Sequence, residues 1–155
     1  MIALDEILYN ALRADADVME ATGGRVKDVV FEVGDDGKDN VPLPYIVVID
    51  AGSQEQPETK DCEWLPAEDH VQAGIEVSAE SPKQVRELIR MSRKAVARYI
   101  ETLEPKDTPY LDSMSRDGVA WDWTKPCYFD VLRYQCTIGN DDNSDDNDND
   151  NDNDE

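Results

Sequence analysis

Residues 70–79, HVQAGIEVSA, alternate strictly between two kinds of side chain. Val71, Ala73, Ile75, Val77 and Ala79 point one way; His70, Gln72, Gly74, Glu76 and Ser78 point the other. A period of two held over this length commits the segment to a half-buried strand. Just beyond it the period changes. Ser81 is a good N-cap and Pro82 a good first helical residue. The helix they open is predicted to run to about Leu103 and to stop before Pro105. A half-buried strand that turns into a long helix with one apolar face has to lay that helix on a sheet.

The other elements fit this frame. In residues 2–13, Leu4, Ile7, Leu8, Ala11 and Leu12 form an apolar stripe at helical spacing. Gly23 and Gly24 then break the chain before a predicted strand over 25–33. The run Tyr45-Ile46-Val47-Val48-Ile49 is continuously apolar, the pattern of a central strand covered on both faces. Residues 52–69 and 104–116 read as polar loops. GVAWDW and CYFDVLRYQCTI read as a closing hairpin around Thr124-Lys125-Pro126. From Gly139 onward no apolar residue remains to offset ordering entropy, so disorder is expected there. The expected fold is α+β: a mostly antiparallel sheet of four to five strands with two main helices packed on one side. The expected division is an ordered domain over 1–139 and an Asp/Asn-rich tail over 140–155.

Charge narrows the function. The 155 residues carry 36 acids and 15 bases, a formal charge of −21. The last fifteen residues hold nine of the acids; the remaining 27 against 15 bases still give −12. Acidity is therefore general. It suits a surface built for concentrated salt, where the Debye length falls to ~3 Å at 1 M and self-repulsion is screened. An acidic protein of ordinary salt is the plain alternative. No apolar run approaches the ~20 residues of a membrane helix. The N-terminus lacks the basic start of a signal peptide, so synthesis inside the cell is expected.

One segment runs against this charge. From Lys83 to Arg98 six bases stand against a single acid, Glu87. On a helix, Lys83, Arg86, Arg90, Arg93, Lys94 and Arg98 share a sector of about 140°. The remaining sector carries Leu88, Ile89, Met91, Ala95, Val96, Tyr99 and Ile100. The basic stripe is a candidate subunit interface. Its plain alternative is a solvated outer face with local pairing to Glu87 and Glu101. Nucleic acid fits poorly, because no aromatic residue interleaves the bases and the rest of the chain repels phosphate. An acidic neighbour, such as another copy of this chain, fits better. Arginine suits such direct contacts through bidentate pairing with carboxylates.

No catalytic constellation is legible. The one histidine, His70, lacks a nucleophile elbow to serve. Cys62, His70, Cys127 and Cys136 lack zinc-ligand spacing, and three cysteines argue against a disulfide framework. Asp146, Asp148 and Asp150 imitate a calcium loop, but Asn151 stands where glycine is required. No enzyme, no cofactor and no metal centre is expected.

The order of elements resembles the tail-completion proteins of tailed viruses, also called tail terminators or tail-to-head joining proteins. The resemblance rests on the helical start ending in ALRADADVMEATGGRV, on PLPYIVV, and on the alternating strand leading through SP into a long helix. The final paired-strand segment completes it. It covers roughly residues 1–138; the acidic tail lies outside the family pattern. The resemblance implies a non-enzymatic virion protein, made in the host cytoplasm, that forms a ring, usually six-fold. Such a ring would cap the tail tube, join it to a neck or head-completion protein, and let DNA pass without sequence-specific binding. With the acidic composition, the implied virus infects a halophilic host. A cytoplasmic halophilic binding module or adaptor without viral context is the alternative.

Overall fold

The computed structural model describes residues 3–28, 42–56 and 68–139. Helix α1 (Leu4–Ala14) buries Leu4, Ile7, Leu8, Ala11 and Leu12, the stripe its sequence spells out. A second helix follows at once, α2 (Ala16–Thr22). The Asp15 carboxylate accepts from the Val18 N–H at 3.1 Å and caps it. Gly23, at φ 60°, ends it in the left-handed conformation that favours glycine. The sequence reading missed α2 because seven residues are too few to show a helical stripe.

Strand β1 (Val26–Lys27) runs parallel to β2 (Tyr45–Gln56). Residues 29–33 of the expected first strand lie outside the described residues. The Arg25 Nε donates to the Pro44 carbonyl at 3.0 Å and ties the two strand entries together. β2 pairs antiparallel with β3 (Glu68–Ala79), and β3 with β6 (Cys127–Gly139). On the other side of β6 lie β4 (Leu111–Arg116) and β5 (Ala120–Asp122), both antiparallel to it. The order is β1-β2-β3-β6-β4, with β5 also on β6.

Three expectations need correction. The sheet has six strands rather than four or five; it is mostly antiparallel, as expected, with β1 the one parallel strand among the described residues. The expected loop 52–69 is strand at both ends: β2 continues to Gln56 through a register shift between Asp50 and Ser53, and β3 starts at Glu68, while residues 57–67 lie outside the described residues. That shift hides the strand from any test for alternation. The expected loop 104–116 contains a short 3-10 turn (Pro105–Asp107) and then β4. The tail 140–155 lies outside the described residues.

Helix α3 (Pro82–Thr102) begins as its sequence indicates, with the Ser81 Oγ accepting from the Gln84 N–H at 3.2 Å. It lies with α1 against one face of the sheet. Ile46 and Val48, Ala73, Ile75 and Val77, and Leu132, Tyr134 and Cys136 meet Leu88, Ile89, Ala95 and Val96 of α3 and Leu4, Leu8 and Leu12 of α1 in one core. Side chains of this kind each contribute about 1.5–3 kcal/mol when fully buried. The opposite sheet face is also partly covered: Tyr45, Val47, Ser78, Cys127 and Val131 are buried there. Among the described residues no helix is long and apolar enough to cross a membrane.

Candidate assembly surface

All six bases of the stripe lie on α3, and all are exposed. Their number follows from the helical period; their different surroundings do not. Arg98 reaches Asp15 at 3.9 Å, the same carboxylate that caps α2. It therefore ties α3 to the α1–α2 corner. Among the described residues it is the only one of the six in an ion pair. Lys83 and Arg86 occupy the first turns of the helix. Arg90, Arg93 and Lys94 lie farther along, where α3 passes the outer edge of the sheet.

There they border a groove of about 660 Å³ between α3 and β4. Val96, Ala97 and Ile100 of α3 give it an apolar wall, and Leu111 and Met114 of β4 face them. Both β4 residues reach the groove because of a bulge. Leu111 pairs with Cys136 and Ser113 with Gln135, so Asp112 is the extra residue. Without it Leu111 and Met114 would point to opposite faces. Asp112 lines the groove as well and accepts a hydrogen bond from the Thr137 hydroxyl.

Tyr134 closes the groove from β6 and is 3% exposed. Burial pushes its phenol up to about 12, with the Arg93 charge opposing. Among the described residues nothing hydrogen-bonds its hydroxyl. The arrangement is a trough with three cations on one rim, an apolar lining and one buried phenol. Cations and a phenol donor select for carboxylates. The trough holds no nucleophile–base pair, and among the described residues no cluster of His, Cys, Asp and Glu has metal-holding geometry.

The outer edge itself is fastened by charge. Asp130 on β6 is fully buried. Its Oδ2 accepts from the Arg116 Nε at 2.8 Å and pairs with the Arg116 Nη2 at 2.7 Å. Its Oδ1 accepts from the backbone N–H groups of Gly118 at 3.0 Å and Val131 at 2.7 Å. One carboxylate thus anchors the end of β4 and the turn that follows. Asp117 forms a second, exposed pair with Arg133, whose guanidinium donates at 3.0 Å to both carboxylate oxygens. That pairing holds the Asp117 carboxyl below the usual range.

Beyond the turn stand three aromatic rings. Trp121 meets Tyr128 edge to face at 4.8 Å and Trp123 at 6.2 Å. Trp123 is 88% exposed. Exposed tryptophans of this kind are common anchors in protein interfaces. Sequence reading placed this hairpin but gave its rings no role. It also missed Tyr134 and the β4 side of the groove. The Asp117-Gly118 pair, a turn signal between two short segments, could have revealed β4.

No family model and no curated protein matches the sequence. Solved structures do match. The chain is similar to the gp17 protein of bacteriophage SPP1, at 19% identity and a TM-score of 0.55, with 86% of each chain covered. It is also similar to a chain from the virion of a native gene transfer agent particle, at 18% identity and a TM-score of 0.45, with 88% of this chain and 96% of that one covered. At such identities the likeness to gp17 is one of fold.

Proposed function

We propose that this chain is a structural virion protein that assembles as a ring, ends a tail tube and joins it to the neck or head. The observation that carries the reading is the fold, shared with a bacteriophage protein over 86% of both chains. The resemblance of the sequence to tail-completion proteins supports it independently. The basic face of α3 meets carboxylates of the next copy, or of a tube or neck protein, and the exposed tryptophans seat in a neighbour. Copies are related by rotation, usually six-fold, around a channel for DNA. Acidic surface along that channel keeps phosphate from adhering. The activity is mechanical, without catalysis or cofactor.

The test is light scattering on a sizing column at low and multimolar salt, alone and with purified tail tubes. A discrete ring mass, or stoichiometric capping of tubes, is expected. Reversing Arg86, Arg90 and Arg93 to Glu should abolish it with the circular dichroism unchanged. A ring unaffected by the reversal removes the role of the helix face. A folded monomer under every condition, tubes included, overturns the reading. The groove would then favour the second reading, a small-molecule or peptide binding module without viral context. A lumen lined by bases would contradict the role given to the acidic surface.

A further inference from the structure

We infer that the acidic C-terminal segment, residues 140–155, folds back into the α3–β4 groove of its own molecule and occupies it through its carboxylates. This occupancy stands whether or not the ring reading holds.

Charge is the first argument. The last fifteen residues hold nine acids and no base. The groove they would meet is bordered by Arg90, Arg93 and Lys94. Elsewhere the chain is strongly acidic and repels the segment. Position is the second. β6 ends at Gly139, and Cys136, three residues earlier, pairs with Leu111, which lines the groove. The chain thus leaves the sheet about 10 Å from one end of the groove. Sixteen residues span at most about 55 Å when extended, so the full length of the groove is within reach. A ligand attached through a short stretch of its own chain is held at high effective concentration, so individually weak contacts suffice.

The chemistry of the groove is the third argument. The Tyr134 hydroxyl is buried at its base and, among the described residues, lacks an acceptor. Such a donor is costly to leave unmatched. A carboxylate only accepts, and one placed beside Arg93 would satisfy phenol and guanidinium together. The phenol keeps its proton far above neutral pH, so the donor is always present. From Asp146 to Asp154 aspartate alternates with asparagine. In an extended segment this puts the carboxylates on one side and the amides on the other. Asp112, bound by the Thr137 hydroxyl, adds negative charge on the β4 side. It directs the segment toward the rim formed by α3. A partner with an acidic surface must displace this segment, so the segment selects against weak competitors.

Zero-length carbodiimide coupling of the full chain at low salt tests the inference. The reagent joins a lysine amine to a carboxylate that it touches. Trypsin releases everything after Arg133 as one peptide, because no Lys or Arg follows it. An equal mixture of ordinary and nitrogen-15 protein separates coupling within a chain from coupling between chains. Lys94 should be joined to that peptide several-fold more often than Lys83 on the same helix, in unmixed isotope pairs. Arg90→Glu with Arg93→Glu should reduce the yield several-fold. Tyr134→Phe, which keeps the ring, should also lower it with the circular dichroism unchanged. Equal yields at Lys94 and Lys83, a predominance of mixed-isotope pairs, or a yield indifferent to charge reversal would each overturn the inference.

Discussion

The middle of the sheet and its outer edge are held by different forces. In the middle, β2, β3 and β6 pair over long antiparallel registers and press apolar side chains against α1 and α3. At the edge, β4 and β5 are short, bulged or interrupted, and mostly exposed. What fastens them is a set of carboxylates: Asp130 on Arg116 and Gly118, Asp117 on Arg133, and Asp122 on Thr124. Hydrophobic burial is non-directional and tolerates error; ionic fastening works only in one geometry. The edge is therefore expected to open before the middle does, and it is also the part that borders the groove.

The largest effect should come from the middle. Leu132→Ala removes a fully buried side chain from β6 and should cost about 3–5 kcal/mol. Urea unfolding would show one shifted transition, and a loss below about 1 kcal/mol would place the core elsewhere. Next comes Asp130→Ala. It strands the backbone donors of Gly118 and Val131 and should cost about 2–4 kcal/mol, less than a fully buried pair because Arg116 can turn to water. Hydrogen exchange should quicken in β4 while β3 amides stay protected. Uniform quickening would erase the distinction between middle and edge.

A smaller effect concerns Glu76 on the sheet face opposite the helices. Burial raises its carboxyl above the ordinary 4.5, Lys125 and Arg133 oppose this, and Asp122 adds to it. A raised carboxyl favours the protonated folded chain. Its contribution to stability is fully present below the unfolded value and is lost as pH rises through the folded one. Glu76→Gln escapes that loss, so its advantage over the parent should grow from pH 4 to pH 7 in urea midpoints. An advantage that shrinks with pH would show that the two cations outweigh burial. The smallest effect belongs to Arg133→Gln. It breaks an exposed pair with Asp117, and no measurable change in stability is expected. A clear loss there would mean that the edge depends on both ion pairs.

The same division governs what the sequence discloses. The α1 stripe, the alternation in β3 and the Ser81-Pro82 start of α3 are periodic or positional signals, and each matches the observed element. The basic stripe is legible for the same reason, since helical period alone gathers the six residues. Their unequal roles are not legible. Arg98 is spent on Asp15, and Arg90, Arg93 and Lys94 gain a groove only because β4 lies opposite them. That strand depends on a bulge at Asp112 and on Asp130, fourteen positions from its partner Arg116. Neither leaves a trace in local pattern. Tyr134 reads as one more alternating residue of β6 until its neighbours are known.

Cys127 and Cys136 sit on one strand with an odd separation, so they belong to opposite faces of the sheet. Cys136 lies in the core beneath the helices, and Cys127 lies with Ser78 on the other side. Burial pushes both thiols up, so both are protonated and shielded in the folded chain. The strand that carries them separates two chemical reporters. An alkylating reagent reaches each only when its own layer lifts, so the ratio of the two labelling rates times the opening of the helical side against the other. The two thiols thus serve as a pair of stopwatches, one for each face of the same sheet.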